Sequence, residues 1–221
     1  MTADNHAGKI QYEKFSFDKD KAYLIGVYLG DGCCHKSKSY GFTIISADKD
    51  VIERTCNIVS KLLRKECYVQ EIKPNQTQLY RFRVYSKRLF EILTSQTNKK
   101  SEIPQSIINS DKKIISEFIA GLMDTDGYIS TGTNKFGWQR FSLGFTNSGK
   151  WTDQFITILK NSGVKVGKKT LKKKYRSLKE KDCYQININL RSFVENELYF
   201  NCQRKQSLLE KYKVNVKYQS Y

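Results

Sequence analysis

Polar and apolar positions along the 221-residue chain follow two periods, and the same succession of periods occurs twice. Stretches rich in apolar and small residues begin after SFDKDKAY and again after NSDKKIIS, where Ser or Asp can cap the free N–H groups of a helix. Further along, YGFTIIS at 40–46 and FSLGFTN at 141–147 alternate polar and apolar residues. This alternation predicts strands with one buried face.

The repeat continues through the rest of each half. DVIERTCNIVSKLLR and KWTDQFITILKNSG carry apolar residues at helical spacing, YRFRVYSKRLFEIL at 80–93 resembles YQININLRSFVENEL at 184–198, and NKKSEIP at 98–104 resembles QRKQSLL at 203–209. The spacing between matched residues grows from 95 to 105, as small loop insertions produce. We therefore predict an α+β protein of two tandem αββαββα units, residues 1–105 and 106–221.

The strongest match between the copies is LIGVYLGDG at 24–32 with IAGLMDTDG at 119–127. Small residues one turn apart, Ala22, Gly26 and Gly30 in one copy and Gly121 and Thr125 in the other, allow two helices to approach closely. A pseudo-two-fold arrangement of the copies would bring Asp31 and Asp126 together. Adjacent carboxylates repel unless cations neutralise them, and oxygen ligands favour Mg²⁺. An Asp-Gly pair after a helix is also an ordinary turn, but its duplication on matched helices favours a functional role.

The net charge of the chain indicates which class of partner it binds. Lys and Arg number 39 against 22 Asp and Glu, which gives a net charge of +17 and a pI near 9.5. Such an excess indicates a polyanionic partner, above all nucleic acid, although lysine enrichment in AT-rich genomes explains part of it. Six cysteines without a C-x-x-C pair and two histidines form no zinc ligand set, which indicates reduced thiols.

No apolar run predicts a membrane segment, and the opening MTADNHAGKI has no apolar signal core. We expect an intracellular protein of the cytosol, nucleoid or an organelle matrix, neither secreted nor bound to membranes. The ends of the chain, Met1 and VKYQSY, carry no flanking splicing residues, so an intein is not expected.

The two nine-residue stretches resemble the paired motifs of the LAGLIDADG homing endonucleases, in the form in which one chain carries both. That resemblance implies motif helices at the interface of the units and antiparallel sheets that form a saddle over DNA. It implies that Asp31 and Asp126 bind metal and carry catalysis, with Gly30 and Thr125 beside them in the metal set. Asp124 aligns with Leu29 of the other motif and so has no acidic counterpart there. We therefore expect a structural or capping role for Asp124.

The same resemblance implies further active-site residues. A catalytic lysine from the loop before the last helix of each unit is expected near the site, and Lys100 and Lys205 match by position, with Lys99 and Arg204 as alternatives. Solvated lysine in a basic chain is a competing interpretation. Polar residues at the end of the first long strand of each unit, Ser46 and Asn147, are candidates for positioning water.

Outward positions of the predicted strands form a candidate DNA-reading surface, since Arg recognises guanine while Asn and Gln recognise adenine. The first copy is rich in Arg and the second in amides, so we expect an asymmetric target. Lysines in HKSKS at 35–39 and KVGKKTLKKKYR at 165–176 are expected to clamp phosphates. The predicted DNA-binding set is Lys36, Lys38, Ser39, Thr43, Arg81, Arg83, Lys135, Arg140, Ser142, Lys172, Lys174, Arg176, Gln185, Asn187 and Asn189, with Gly41 also on the outward face.

The sequence thus predicts a monomeric, metal-dependent endonuclease that hydrolyses both strands of a long double-stranded DNA site. Mg²⁺ is the expected cofactor; Mn²⁺ should substitute for it, and Ca²⁺ should support binding without cleavage. The alternative is an intron RNA maturase or a non-cleaving DNA-binding regulator on the same fold. Retention of both acids favours the nuclease over the regulator, whereas a maturase that binds intron RNA can keep them.

Overall fold

A computed structural model describes residues 17–74, 77–133, 135–137, 139–172 and 182–218. In the N-terminal half these form α1 (Lys19–Leu29), β1 (Cys33–Lys36), β2 (Tyr40–Ser46), α2 (Lys49–Leu63), β3 (Val69–Ile72), β4 (Leu79–Tyr85) and α3 (Lys87–Gln96). A short helix, α4 (Gln105–Ile108), follows. The C-terminal half forms α5 (Lys112–Thr125), β5 (Gly127–Thr133), β6 (Gln139–Asn147), α6 (Thr152–Asn161), β7 (Thr170–Lys172), β8 (Cys183–Ile188), α7 (Leu190–Glu195) and α8 (Gln203–Tyr218).

Both halves contain a four-stranded antiparallel sheet with the same topology. The strand order is β1-β2-β4-β3 in one and β5-β6-β8-β7 in the other. The predicted α+β class and the duplicated order of elements are confirmed. The proposed division at residues 105 and 106 falls inside α4, within the connection between α3 and α5.

The two motif helices start at the predicted caps. The carboxylate of Asp18 accepts the N–H of Lys21 at 2.8 Å, and that of Asp111 accepts the N–H of Ile114 at 2.9 Å. Each bond satisfies one of the free donors at a helix start, which is why an aspartate defines where α1 and α5 begin.

Helices α1 and α5 pack against each other without room for side chains at their contact points. A Cβ on Gly26 would lie 2.5 Å from the carbonyl oxygen of Phe118, and one on Gly121 would lie 2.3 Å from that of Tyr23. Further along, Gly30 lies against Thr125. The matched order of these contacts shows that the helices run in the same direction, so their C-terminal ends meet.

The core is continuous from one half to the other. Alternate residues of the central strands are buried, as predicted: Phe42 and Ile44 in β2 and Leu143 and Phe145 in β6. Their polar neighbours lie on the opposite sheet face. Among the residues that the structure describes, no helix has the length and apolar character needed to cross a lipid bilayer. All six cysteines are free thiols, as expected.

One match between the copies is wrong in structural terms. Residues 98–104 form turns in which Asn98, Lys99 and Lys100 have positive φ, whereas their counterparts at 203–209 form the start of α8. The described part of the first unit has no helix equivalent to α8. The sequence match is therefore carried by the lysine and not by secondary structure.

Candidate active site

The acids of the two motifs lie just beyond the helix ends that meet. Gly30 is the C-cap of α1 and Asp126 the C-cap of α5, where its N–H donates to the carbonyl oxygen of Leu122 at 2.9 Å. A Cβ on Gly30 would lie 2.9 Å from Oδ2 of Asp126 and 2.1 Å from Oγ1 of Thr125. The carboxylate of Asp126 therefore lies against the backbone that carries Asp31.

The electrostatics of the acids reflect this proximity. Burial, followed by the negative charge of Asp31, raises the pKa of Asp126 to about 7. Desolvation also raises the pKa of Asp31, and the charges of Lys205 and Lys100 oppose that rise. The side chain of Asp31 reaches solvent while Asp126 is half-buried. Two acids in this state are poised to bind a cation, because a cation removes the penalty on their charged forms.

Lys100 and Lys205 contact the C-terminal ends of the motif helices. Nζ of Lys100 donates to the carbonyl oxygens of Gly30 at 2.7 Å and Gly32 at 3.0 Å. Lys99 is exposed. The interpretation of Lys100 as a solvated surface lysine is therefore wrong, since its ammonium group binds the end of α1.

Lys205 is more deeply placed, with 4% of its surface exposed. Its Nζ donates to carbonyl oxygens at the end of α5 and the start of β5, closely to those of Met123 at 2.9 Å, Asp124 at 2.6 Å and Gly127 at 2.7 Å, and more distantly to that of Thr125 at 3.5 Å. Arg204 instead forms an ion pair with Asp48 at 2.8 Å. Both lysines thus supply positive charge where a helix dipole and the acids concentrate negative charge.

The two candidates for positioning water differ. Asn147 donates from Nδ2 to Oδ2 of Asp126 at 2.5 Å, and its Oδ1 accepts the N–H of Gly149. The hydroxyl of Ser46 accepts the N–H of Asp48 at 3.1 Å, which engages it in the turn before α2. The structure therefore connects Asn147, and not Ser46, to an acid of the motif pair.

The expected structural role of Asp124 agrees with its contacts. Its side chain is buried and accepts the hydroxyl of Tyr23 at 2.9 Å and the backbone N–H groups of Asn201 and Cys202, each at 3.0 Å. Sequence reasoning missed these partners. Two are backbone groups, which leave no trace in side-chain patterns.

The other members of the predicted metal set are engaged within the protein. The carbonyl oxygen of Gly30 accepts from Lys100, and the hydroxyl of Thr125 donates to the carbonyl oxygens of Gly121 and Leu122. Among the described residues, no group of three or more His, Cys, Asp or Glu side chains could hold a metal ion. Within the predicted metal set, Asp31 and Asp126 supply the two carboxylates.

Thirteen of the fifteen predicted DNA-binding residues lie in described segments. In the first sheet, Nε of Arg83 donates to the hydroxyl of Thr43 at 3.2 Å, and Arg81 donates twice to the side-chain oxygen of Gln70. These pairs lie on the face opposite the buried Phe82 and Val84, as alternation predicted. Lys36, Lys38 and Ser39 lie exposed at the β1–β2 hairpin, and Lys135 and Lys172 are also exposed.

In the second sheet, Arg140 and Ser142 lie on β6, and Gln185 and Asn187 on β8. Tyr128, which the sequence analysis did not select, bridges the two amides: its hydroxyl accepts from Gln185 at 2.8 Å and donates to Asn187 at 3.3 Å. The first sheet therefore presents guanidinium groups where the second presents a tyrosine–amide cluster.

One residue of the predicted DNA-binding set lies elsewhere than expected, and two others are not among the described residues. The outward strand position assigned to Asn189 is wrong, because β8 ends at Ile188 and the side chain of Asn189 caps α7 by accepting the N–H of Ser192 at 2.8 Å. A cap of this kind satisfies a free helix donor. Lys174 and Arg176 lie outside the described residues.

Comparisons with known proteins agree with this geometry. No protein-family profile matches the sequence. The homing endonuclease I-ApeI of Aeropyrum pernix is 30% identical over 117 residues, which cover 48% of this chain and 51% of that protein. A probable translation initiation factor IF-2 of Methanocaldococcus jannaschii is 26% identical over 199 residues, which cover 86% of this chain but only 16% of that much longer protein.

Solved structures give the fold. I-DmoI E117A, crystallised with its target DNA in the presence of Mn, superposes with a TM-score of 0.54 at 22% identity, over 86% of this chain and 97% of that one. The LAGLIDADG homing endonuclease I-GzeII, in complex with its DNA target, gives a TM-score of 0.53 at 12% identity, over 93% of this chain and 92% of that one. The motifs, the duplicated topology and these superpositions agree. The chain has the fold of the LAGLIDADG homing endonucleases, in the form in which one chain carries two motifs.

Proposed function

We propose that this protein is a divalent-metal-dependent homing endonuclease that cuts both strands of a specific double-stranded DNA site. The observation that carries the proposal is the meeting of Asp31 and Asp126 at the ends of two motif helices that run in the same direction. Asp31 and Asp126 lie just before β1 and β5, the first strands of two sheets with polar and basic outward faces, on a chain of net charge +17. An acid pair next to basic DNA-reading surfaces suits phosphodiester hydrolysis better than binding alone.

The acid pair fits a hard divalent cation. Mg²⁺ characteristically uses one or two carboxylates together with water and substrate phosphates, so two protein carboxylates are sufficient. A bound divalent ion supplies activation of water and stabilisation of the leaving oxygen. Structures of I-DmoI with DNA contain Ca or Mn, and another was obtained with DNA in the presence of Mg. We propose Mg²⁺ for this chain, with Mn²⁺ as a substitute and Ca²⁺ as a binding-only ion.

The protein's own residues have separate tasks in this scheme. Asp31 and Asp126 serve as the ligands, and Asn147 fixes Oδ2 of Asp126 through its hydrogen bond. Lys100 and Lys205 hold the ends of α1 and α5 and lower the electrostatic cost of two adjacent carboxylates. We propose that Lys100 and Lys205 contribute to catalysis by supporting the acids and that Asn147 positions Asp126.

DNA recognition is assigned to the outward sheet faces. Arg81 and Arg83 would read one half-site, while Gln185 and Asn187 would read the other, with the exposed lysines on phosphates. The two sheets present different chemistry, so the target is expected to be asymmetric. One chain supplies both motifs and both sheets, so a monomer is sufficient.

Cleavage selection from a randomised double-stranded DNA library with Mg²⁺, followed by sequencing of the cut ends, tests the proposal. One recovered site, cut on both strands at fixed positions and with unlike half-sites, is the expected result. Intact DNA at every Mg²⁺ or Mn²⁺ concentration, together with specific binding of DNA or of intron RNA, would instead identify a regulator or a maturase. RNA and DNA binding measured on the same preparation separates those two.

A further inference from the structure

The end of α5 is fixed by two reciprocal contacts, of which only the lysine contact has a counterpart in the first motif. Asp124 accepts the N–H groups of Asn201 and Cys202 from the segment that leads into α8, and Lys205 on α8 donates back to the carbonyl oxygens of Met123, Asp124 and Gly127. We call this pair, Asp124 and Lys205, the brace. Its contacts surround Asp126 in the sequence and fix the backbone on both sides of it.

Helix electrostatics explain why an acid occurs at this position. Asp124 lies near the C-terminal end of its own helix, where a negative charge is unfavourable. Its carboxylate, however, faces the start of α8, where the carbonyl oxygen of Cys202 accepts the N–H of Gln206 at 2.8 Å. The N–H groups of Asn201 and Cys202 precede that first turn. The carboxylate therefore satisfies free donors at the start of one helix while it extends from the end of another.

Buried partners leave the carboxylate little freedom. The hydroxyl of Tyr23, on α1, donates to Oδ2 of Asp124 at 2.9 Å, and the guanidinium of Arg54 lies 3.9 Å from the centre of the Tyr23 ring. Asp124 itself is 3% exposed. Asn201 contacts Asp124 through its backbone N–H and not through its side chain. Nδ2 of Asn201 is buried and has no hydrogen-bond partner among the described residues.

The first motif has no equivalent of Asp124. Leu29, buried in the core, occupies the position of Asp124. Lys100 reaches two carbonyl oxygens, against three close ones for Lys205, and it extends from a turn with positive φ and not from a helix. The described part of the first unit contains no helix equivalent to α8. The end of α5 therefore makes more hydrogen bonds to the rest of the chain than the end of α1 does.

We propose that Asp124 is a positioning residue of the second motif: through Lys205 and the start of α8, it fixes the backbone that carries Asp126. The inference rests on the proposed nuclease function and adds to it a functional difference between the two motifs. Loss of the brace should disturb the geometry at Asp126 more than at Asp31. The two DNA strands should then be cut at rates whose ratio differs from that of the unaltered protein.

The test uses the full chain and the duplex recovered by cleavage selection, labelled on both strands. Asp124→Asn keeps the shape of the side chain and removes its charge, and Asp124→Leu copies the first motif. Asp111→Asn makes the same chemical change at the other end of α5 and serves as the matched control. The rate of cutting of each strand is measured with Mg²⁺, and binding is measured with Ca²⁺.

Asp124→Asn is expected to change the ratio of the two strand rates by about tenfold or more, equivalent to about 1.4 kcal/mol between the two barriers. Ca²⁺-supported binding should remain within about twofold, and Asp111→Asn should leave the ratio unchanged. Amide hydrogen exchange of residues 199–205 should become faster in Asp124→Asn, which reports release of the segment independently of cleavage. If Asp124→Leu folds, it should show the same altered ratio of strand rates. If Asp124→Leu does not fold, the result for Asp124→Asn alone tests the inference.

Equal loss of rate on both strands would show a general structural role and overturn the inference. So would an unchanged ratio, or unchanged exchange in residues 199–205. An unaltered protein that cuts no DNA would overturn the proposed function itself, together with this inference. An unaltered protein that cuts normally, beside an Asp124→Asn variant with the same ratio, removes only the inference.

Discussion

The carbonyl oxygen of Tyr23 lies 2.3 Å from the position that a Cβ on Gly121 would occupy. Tyr23 is on α1 and Gly121 is on α5, so this contact sets how closely the motif helices approach. The obstacle is backbone, which cannot rotate away as a side chain would. The separation of the helices, and with it the proximity of Asp31 and Asp126, therefore depends on the absence of a side chain at this position.

Gly121→Ala should lower the free energy of unfolding. Alanine usually stabilises a helix by about 1 kcal/mol relative to glycine, but overpacking in a close interface costs about 1–3 kcal/mol, and here the contact is with backbone. We expect a net loss of about 2 kcal/mol by denaturant unfolding. Gly132→Ala is the control, because a Cβ there would have no heavy atom of the described residues within 4 Å beyond its own chain neighbours. A Gly121→Ala variant as stable as wild type would contradict the packing described.

Asp126→Asn should stabilise the metal-free protein at neutral and higher pH. The pKa of Asp126 rises from 3.8 to about 7 through burial and then the charge of Asp31, so the folded protein keeps a proton that the unfolded chain releases. Stability therefore falls as pH rises between those values, and the substitution removes this loss. Because the side chain is only half-buried, we expect a gain of about 1–2 kcal/mol above pH 7 and none near pH 4.

Thermal unfolding from pH 4 to pH 8, with and without Mg²⁺, measures this effect. Mg²⁺ should raise the melting temperature of the wild type at pH 8 and have a smaller effect on Asp126→Asn. Asp111→Asn is the control: it replaces the N-cap of the same helix by asparagine, which also caps helices well, and it should show no such pH-dependent gain. A uniform loss of stability in Asp126→Asn at every pH would contradict the electrostatic argument.

Lys205→Met should destabilise the protein more than Lys100→Met does. The first variant removes the donor to three buried carbonyl oxygens at the end of α5 and the start of β5, and the second removes the donor to two carbonyl oxygens in a half-buried setting. Lost hydrogen bonds to a charged group cost about 1.5–3 kcal/mol, so we expect a loss near 3 kcal/mol for Lys205→Met and about 1.5 kcal/mol for Lys100→Met.

Lys99→Met provides the matched control for both lysines, because Lys99 is exposed and should change stability by less than about 0.5 kcal/mol. Chemical denaturation of the three variants gives the comparison. If Lys99→Met destabilised the protein most, Lys99 and not Lys100 would be the lysine that contacts the end of α1.

Arg83→Ala should relax base preference in one half-site only. Its guanidinium lies on the outward face of the first sheet and donates to Thr43. A bidentate contact to guanine is worth about 1–3 kcal/mol of discrimination. Asn187→Ala should relax the other half-site. Arg88→Ala, an exposed arginine on α3, should leave both preferences unchanged. Sequencing of sites selected by each variant shows whether the two sheets read separate halves.

The sequence predicted most of the fold because two features occur in both halves: the polar and apolar pattern of each element, and the order of the elements. Alternation in β2 and β6 identified the buried strand faces, and aspartates such as Asp18 identified the helix starts. The match at 98–104 failed as secondary structure, since a shared lysine says nothing about whether its backbone is a turn or a helix. Lys100 still reaches α1, which shows that position of the ammonium group, and not the element that carries it, is what the two copies share.

Within the candidate site, the sequence indicated Asp31, Asp126 and both lysines, but not their supporting contacts. The partners of Asp124 are the hydroxyl of Tyr23 and two backbone N–H groups, all far away in sequence. Tyr128 forms its amide cluster only through strand pairing of β5, β6 and β8. Such contacts depend on tertiary structure and have no local signal.

The most direct test of the account is cleavage of the selected duplex by wild type and by the Asp31→Asn/Asp126→Asn double variant, measured on both strands with Mg²⁺. We predict that wild type cuts both strands and that the double variant cuts neither, while its Ca²⁺-supported binding of the same duplex shows that the fold and the DNA-reading faces are intact. Retained cutting by the double variant, at fixed positions on either strand, would contradict the assignment of these two acids.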